Sequence, residues 1–216
     1  MRIVSVNSSL GKTVEWKGRT VQTGIFKARV QGPAMIRKLN LEGDRPSDLT
    51  VHGGVDKAIY SYDWEDYAWW IRTLGRNLDP GAFGENLTTE GVLDREISAG
   101  DVLRFGSAIL QAVQPRLPCY KLSVKFDDDQ MTKRFMQAER WGIYYRVLEE
   151  GTVKAGDTIE FVAKDPNRVR IADLPRMMAG DMVDEDLLRR AMAVEAIPVS
   201  WKEIIVDMAE REGIKR

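Results

Sequence analysis

The distribution of strand and turn signals over roughly the first 160 residues constrains the fold more than any other feature of this sequence. The clearest signal is a hairpin at residues 102–113, where Gly106 and Ser107 separate two apolar runs. Lys17 and Gly18 mark a second hairpin turn within residues 14–21. Further strands are predicted at residues 3–6, 25–30, 35–41, 144–148 and 158–162. Because regular helices do not alternate with these strands, the pattern favours a β-barrel or sandwich over a doubly wound sheet.

A short pattern, A-G-D-x-[LI]-x-F, occurs twice, at residues 99–105 and 155–161. Its glycine permits a positive φ and its aspartate can bond nearby backbone, so the pattern predicts a tight turn that leads into an alternating strand. We interpret the two copies as similar local structures rather than as the repeats of a solenoid.

Two helices are predicted inside this strand-rich region, at residues 63–75 and 129–140. Asp63 suits the N-cap of the first helix, and Gly75 suits its C-terminal end. We interpret the apolar stripes of both helices as core packing rather than as a ligand site.

The strand pattern ends near residue 165, and helical signals follow at residues 171–178, 184–194 and 198–211. We therefore expect a mainly β (α+β) fold, with a β-rich domain at residues 1–164 and a three-helix extension at residues 165–216. The apolar faces of the extension suit internal packing, the docking of a partner protein or a contact within a homodimer.

The composition excludes several classes of protein. The chain has 32 Lys and Arg against 33 Asp and Glu, so neither a nucleic-acid polymer nor a membrane is expected as a partner. One cysteine and one histidine cannot form a disulfide framework or a closed zinc site, which usually needs about four such ligands. No apolar run long enough to span a bilayer and no signal peptide are recognised. A lone thiol suits a reducing compartment, so a cytoplasmic location is expected.

Residues 114–122, with the sequence QPRLPCYKL, form the most unusual local segment of the chain. The two prolines predict a rigid, extended loop that follows a strand. Cys119 lies on this loop near Arg116 and Lys121, and such cations favour the thiolate, which is both a nucleophile and a metal ligand. The alternative is a buried cysteine that packs as a small apolar side chain, and the residues alone leave both interpretations open.

Two further segments contain residues that suit ligand binding. Residues 44–58 form a polar stretch in which His52 precedes two glycines, so it can present amide groups, a cation and a proton carrier to an anion. A solvated loop with a surface histidine is the alternative. Residues 81–88 contain turn glycines and Asn86, whose amide both donates and accepts hydrogen bonds. Neither segment matches a Walker loop or a dinucleotide-binding fingerprint.

Three motifs, taken together and in this order, resemble the MOSC domain family, which is named for the C-terminal domain of molybdenum cofactor sulfurase. They are H-G-G-x-D-K at residues 52–57, F-G-E-N-L at residues 83–87 and Q-P-R-x-P-C-x-K-L at residues 114–122. The resemblance covers about residues 1–164, and the helical extension is similar to that of the YiiM-type bacterial branch of the family. It implies a β-rich fold like the barrel of the pyruvate kinase small domain.

The resemblance also implies a cofactor and a set of site residues. The cofactor is the molybdenum cofactor, a pterin dithiolene that carries a phosphate, and pyridoxal phosphate is not expected. Cys119 corresponds to the catalytic cysteine of the family, which supplies a soft thiolate ligand to molybdenum. His52 is the candidate proton donor, because its ordinary pKa lies near neutrality. The other expected cofactor-binding residues are Arg45, Asp56, Lys57, Asn86, Gln114, Arg116 and Lys121.

Each residue of this set has an expected role. The arginines and lysines are expected to bind the cofactor phosphate, because arginine holds phosphate with two parallel hydrogen bonds and lysine as a point charge. Asn86 is expected to bond the pterin edge, and Asp56 to orient Lys57 or His52.

For this branch, the resemblance implies reduction of N-hydroxylated small molecules such as hydroxylaminopurine. This reaction consumes two electrons and two protons, and side chains cannot supply the electrons. A separate electron-donor protein is expected, because one cysteine cannot hold an iron–sulfur cluster. Two alternatives stay open: a non-catalytic cofactor or sulfur carrier that uses Cys119, and a hydrolase or transferase with a Cys119–His52 pair.

Overall fold

The computed structural model describes residues 1–45, 53–180, 184–211 and 213. The strands are β1 (Arg2–Ser8), β2 (Lys12–Trp16), β3 (Arg19–Thr23), β4 (Ala28–Arg29), β5 (Ala34–Ile36), β6 (Ile59–Asp63), β7 (Leu87–Glu90), β8 (Val102–Phe105), β9 (Ala108–Pro115), β10 (Ile143–Glu149), β11 (Gly151–Val153) and β12 (Ile159–Ala163). The helices are α1 (Trp64–Leu74), α2 (Tyr120–Phe126), α3 (Met131–Ala138), α4 (Asp173–Ala179), α5 (Glu185–Ala193) and α6 (Val199–Arg211). A 3₁₀ turn spans Val55–Lys57. The fold is therefore mixed α+β, with six α-helices in these ranges.

Eight strands form one large sheet in the order β12-β8-β9-β10-β6-β7-β1-β4. All neighbours are antiparallel except β6 and β7, which are parallel. Main-chain hydrogen bonds also join β1 to the turn before β12: the Ile3 amide donates to Asp157 at 2.9 Å, and the Gly156 amide donates to Ile3 at 2.8 Å. These bonds connect the β12 edge of the sheet to β1, which lies next to the opposite edge, so the sheet curves around an enclosed core.

Two groups of buried apolar side chains stabilise this arrangement. The first fills the curved sheet and also contains Leu188 of α5 and Ile205 of α6, so the C-terminal helices share a core with the strands. The second is an aromatic cluster below α1, α2 and α3, in which the Tyr62 and Phe83 rings stack with their centroids 4.4 Å apart. Trp70 is fully buried in this cluster, which confirms that the predicted helix stripes are core packing.

Both predicted hairpins are confirmed. β8 and β9 pair with Phe105 opposite Ala108, and Gly106 has φ 54°. β2 and β3 pair around Lys17 and Gly18, whose φ angles of 51° and 70° match the turns that suit the right-handed twist of strands.

The repeated A-G-D pattern forms two matching turns. Asp101 accepts a hydrogen bond from the Ser98 amide and Asp157 accepts one from the Lys154 amide, both at 2.9 Å. The strands that follow, β8 and β12, pair with each other in antiparallel fashion. The two copies therefore begin two adjacent strands, which agrees with a local structural role.

The helical predictions agree with the structure, within a few residues at the helix ends. The Asp63 carboxylate caps α1 by accepting from the Glu65 amide, and Gly75 ends the helix with φ 64°. The three C-terminal helices lie where helical signals were recognised, and the division into domains at residue 164 stays a prediction. Within the described ranges, no helix is long and apolar enough to cross a membrane.

Other sequence predictions were wrong or incomplete. The strands expected at residues 25–30 and 35–41 contain only the short β4 and β5, and β6, β7 and β11 were not predicted. All five residues of β6 are buried, so it lacks the alternation that reveals a half-exposed strand. The rigid loop expected at residues 114–122 is shorter, because β9 continues to Pro115 and α2 begins at Tyr120. A helix of seven residues is too short to show a clear period, and burial of Leu122 and Phe126 in the aromatic cluster stabilises it.

Candidate functional site

A cavity opens where the loop after β3, the 3₁₀ turn, the start of β6 and the start of α2 meet. Its lining consists of Thr23, Gly24, Ile25, Lys27, Asp44, Lys57, Ala58, Tyr60, Gly84, Asn86, Arg116, Cys119, Lys121 and Tyr144. Four of these side chains are cationic and one is a carboxylate, so the described lining carries a net positive charge. We call it the cationic cavity, and its charge suits an anionic ligand.

Cys119 lies at the entry to α2, with its thiol half-buried at the cavity. Its carbonyl accepts a hydrogen bond from the Leu122 amide at 2.9 Å and another from Thr132 Oγ1 at 3.3 Å. These bonds hold the backbone from α2 and α3 at once. The backbone that carries the thiol is therefore held in place beside the cavity, as a ligand or nucleophile requires.

Arg116 is the most deeply embedded cation of the predicted set, with 7 % of its surface exposed. Its Nη1 donates to the Phe83 carbonyl at 2.7 Å, and its guanidinium lies 5.2 Å from the Tyr60 ring centroid. Burial by itself lowers the pKa of Arg116. The combined effect of Tyr60, Tyr144 and Cys119 is larger and opposite, so the pKa is raised overall. Arg116 is thus a fixed positive charge whose planar donor groups can hold an anionic oxygen.

Lys27 and Asp44 form a buried ion pair that sequence reasoning missed. Lys27 Nζ lies 2.6 Å from Asp44 Oδ1 and 2.5 Å from Oδ2, with side-chain exposures of 8 % and 6 %. Burial lowers the pKa of Lys27 and outweighs the opposing effect of Asp44. A single lysine outside any motif gave no sequence signal for this role.

Asn86 connects the ion pair to β6. Its Nδ2 donates to Asp44 Oδ2 at 2.9 Å, and its Oδ1 accepts from the Tyr60 amide at 3.2 Å. Both ends of the amide are therefore engaged, which fixes its orientation in the cavity wall.

The loop between α1 and β7 is organised by Glu85, which belongs to the F-G-E-N-L motif but was given no role from the sequence. Its buried carboxylate accepts from the Gly81 and Phe83 amides at 2.7 Å and 3.1 Å, and burial raises its pKa. Gly84 has φ 78°, and a Cβ there would lie 2.8 Å from Ile25 Cγ1. This tight loop places the Phe83 carbonyl against Arg116 and brings Asn86 into the cavity.

The structure brings five of the predicted site residues together in the cavity lining, namely Lys57, Asn86, Arg116, Cys119 and Lys121. It does not bring Arg45 there, because Arg45 is exposed and lines a separate depression with Gly11 and Gln22. His52 lies outside the described residues, so its role as proton donor stays a prediction.

Asp56 and Gln114 are also absent from the described cavity lining, and both bond to other parts of the structure. Arg146 donates to the Asp56 carboxylate from Nε at 2.8 Å and from Nη2 at 2.5 Å. Gln114 Nε2 donates to the Asp56 carbonyl at 2.9 Å, and its Oε1 accepts from Trp201 at 3.0 Å. These contacts place Asp56 and Gln114 behind the wall that carries Lys57.

The fold and the cavity together define a MOSC domain protein. The family model described as MOSC domain matches residues 48–160, and the chain belongs to this family. Protein YflK of Bacillus subtilis (strain 168) is similar, with 34% identity over 209 residues, which are 97% of this chain and 95% of YflK. Protein YiiM of Escherichia coli (strain K12) is 33% identical over 187 residues, covering 83% of this chain and 81% of YiiM.

Two further comparisons concern a solved structure and a more distant relative. The crystal structure of YiiM from Geobacillus stearothermophilus has a TM-score of 0.79 and 30% identity, over 96% of this chain and 98% of that chain. A protein of Gibberella moniliformis (strain M3125 / FGSC 7600) named Reductase is 27% identical over 197 residues, which are 89% of this chain and 34% of that protein.

The residues of the cavity fit the cofactor that the family implies. A molybdenum cofactor needs a site for an anionic phosphate and a soft ligand for the metal. The described lining offers Cys119 together with Lys27, Lys57, Arg116 and Lys121. The cavity thus offers one sulfur for the metal and several cations for the phosphate.

Proposed function

We propose that this protein is an oxidoreductase that binds the molybdenum cofactor in the cationic cavity and reduces N-hydroxylated small molecules, such as hydroxylaminopurine-type bases. The observation that carries the proposal is that the Cys119 thiol opens onto the same cavity as four cationic side chains. Membership of the MOSC family and similarity to a relative named Reductase support the oxidoreductase class.

In this proposal Cys119 supplies the sulfur ligand of the metal, and the backbone bonds from α2 and α3 hold it in place. Arg116 holds the phosphate through two N–H groups, while Lys57 and Lys121 act as point charges. Partial burial strengthens these pairs, because charges interact more strongly where water is excluded.

The opposite wall orients the ligand through polar groups. Asn86 is fixed by Asp44 and Tyr60, so its amide presents a constant edge to a pterin ring. Lys27 keeps the buried Asp44 carboxylate compensated, since an unpaired buried charge is costly. Burial raises the pKa of Tyr60 and Tyr144, so both stay neutral phenols in the wall.

When bound, the cofactor would supply the two-electron redox chemistry that side chains lack. Converting N–OH into N–H and water also consumes two protons, for which His52 stays the predicted carrier. The electrons come from a separate donor protein in this proposal. A cytoplasmic location, where a thiol stays reduced, belongs to the same proposal.

The likeness to the barrel of the pyruvate kinase small domain is also part of the proposal. The main-chain bonds between the turn before β12 and β1, the second strand from the other edge of the sheet, support it, because a barrel requires its sheet to close on itself.

The test is the molybdenum content of protein purified from a host that makes the pterin cofactor. We expect nearly one molybdenum per chain in the natural protein and a loss of most of it in Cys119→Ser, which is close in size but a poor soft ligand. Lys121→Met should also lower the metal content, whereas Lys17→Met should not, because Lys17 is exposed and pairs with Asp129. Equal molybdenum in Cys119→Ser and natural protein would refute Cys119 as the ligand.

A second assay separates the reductase from a cofactor carrier. Molybdenum-loaded protein is mixed with hydroxylaminopurine and a chemical electron donor, and formation of the aminopurine is followed. Turnover supports the reductase. Loaded protein that shows no turnover but restores a cofactor-free molybdenum enzyme would instead identify a carrier.

A further inference from the structure

Trp201 of α6 connects the C-terminal helices to the cationic cavity through two consecutive hydrogen bonds. Its indole Nε1 donates to Gln114 Oε1 at 3.0 Å, and Gln114 Nε2 donates to the Asp56 carbonyl at 2.9 Å. Trp201 is 5 % exposed and Gln114 is 4 % exposed, so water competes little for these bonds.

These bonds lie directly behind two segments that line the cavity, those of Arg116 and Lys57. Gln114 belongs to β9, two residues before Arg116. Asp56 is the middle residue of the 3₁₀ turn, next to Lys57, which lines the cavity. The Asp56 carboxylate is held from another side by Arg146. The position of Lys57 thus depends on contacts made by its neighbour.

The turn itself contributes little rigidity. It contains three residues, and its Lys57 amide bonds the Gly54 carbonyl at 3.1 Å. Such 3₁₀ turns have poorer hydrogen-bond geometry than α-helices, so external contacts decide where they lie. Gln114 provides one of these contacts, and Trp201 decides which way its amide faces, because an indole only donates.

We infer that Trp201 is a positioning residue of the cationic cavity, which acts through Gln114 and Asp56 to hold Lys57 against an anionic ligand. The C-terminal helices thereby have a defined part in ligand binding without contacting the ligand. This inference rests on the proposed function only in that the cavity ligand is an anion.

The test compares the affinity of the full chain for inorganic phosphate by titration calorimetry at constant ionic strength. Trp201→Phe keeps an aromatic ring but removes the N–H, and we expect it to weaken phosphate binding by about threefold to tenfold. Trp70→Phe is the matched control, because it removes a buried indole N–H that donates to Tyr62 Oη at 2.6 Å and makes no described hydrogen bond to Gln114 or to the turn. Its phosphate affinity should stay within about twofold of the natural protein.

A double-mutant cycle identifies the route of the effect. If Trp201 acts through Lys57, Trp201→Phe has no further effect on phosphate affinity once Lys57→Met is present. An additive loss in the double variant would overturn the inference, as would unchanged affinity in the single variant. Gln114→Met breaks the same connection without changing α6 and should reproduce the loss if Trp201→Phe folds poorly.

Hydrogen exchange of the turn separates this inference from the proposed function. Trp201→Phe should speed amide exchange in residues 53–58 relative to the β8–β9 hairpin, whereas a general loss of stability would speed both alike and overturn the inference. If the natural protein binds no phosphate, the proposed anion site is refuted. Exchange then still decides whether Trp201 holds the turn.

Discussion

Replacing Asp94 with asparagine is expected to remove the contribution of this carboxylate to the pH dependence of folding. Asp94 is 1 % exposed, and its Oδ2 accepts from the Trp141 and Gly142 amides at 2.6 Å and 3.0 Å. Its Oδ1 is buried without a hydrogen-bond partner among the described residues. Burial, assisted by the nearby Asp66 carboxylate, raises the pKa of Asp94 from 3.8 to about 6.

The sign and size of the effect follow from this shift. A raised pKa means that the folded protein binds the proton more tightly than the unfolded chain, so the stabilisation is complete below pH 3.8 and is lost as the pH rises through about 6. Since one pKa unit corresponds to about 1.4 kcal/mol, the ionised carboxylate lowers the free energy of unfolding by about 3 kcal/mol at pH 8. Asparagine is uncharged and keeps one oxygen to accept both amide hydrogens.

The measurement is urea unfolding of both proteins at several pH values between about 4 and 8. We expect the free energy of unfolding of Asp94→Asn, relative to the natural protein, to increase by about 2.4 kcal/mol across this range, most steeply below pH 6. A difference that does not change with pH would refute the reasoning, because it would show that Asp94 has the same pKa in the folded and unfolded states.

Two further substitutions test the walls of the cavity. Gly84→Ala places a Cβ at φ 78° and 2.8 Å from Ile25 Cγ1, so it should lower the free energy of unfolding by about 1–3 kcal/mol in urea; an unchanged midpoint would contradict the tight approach of these two segments. Lys27→Met leaves the buried Asp44 carboxylate unpaired and should cost about 3–5 kcal/mol, part of which the second change Asp44→Asn restores. If Lys27→Met proves neutral in thermal and urea unfolding, the ion pair is not the buried contact described above.

The sequence predicted well those features that depend on neighbouring residues. The ends of α1 at Asp63 and Gly75 could be predicted, because capping and positive φ are properties of single residues and their nearest backbone. The hairpin turn at Gly106 was visible for the same reason. Strand β6 was not predicted, because both of its faces are buried by side chains from distant parts of the chain: Ile59 lies in the first apolar group, and Tyr60 and Tyr62 lie in the aromatic cluster.

The candidate site divides in the same way. The sequence by itself determined that Cys119 is the single thiol, that Arg116 and Lys121 flank it, and that the motifs around it are those of the MOSC family. The identity and order of neighbouring residues are sufficient for these conclusions.

Only the tertiary structure decided which distant charges meet Cys119. It brought Lys27 into the cavity in place of Arg45, and it placed Asp56 behind the wall, where Gln114 and Trp201 hold it. The physical reason is that the position of a charged residue in the sequence does not show which way its side chain faces in the folded protein. Pairing between strands far apart in the chain, and the burial that follows from it, determine which side chains face a common cavity.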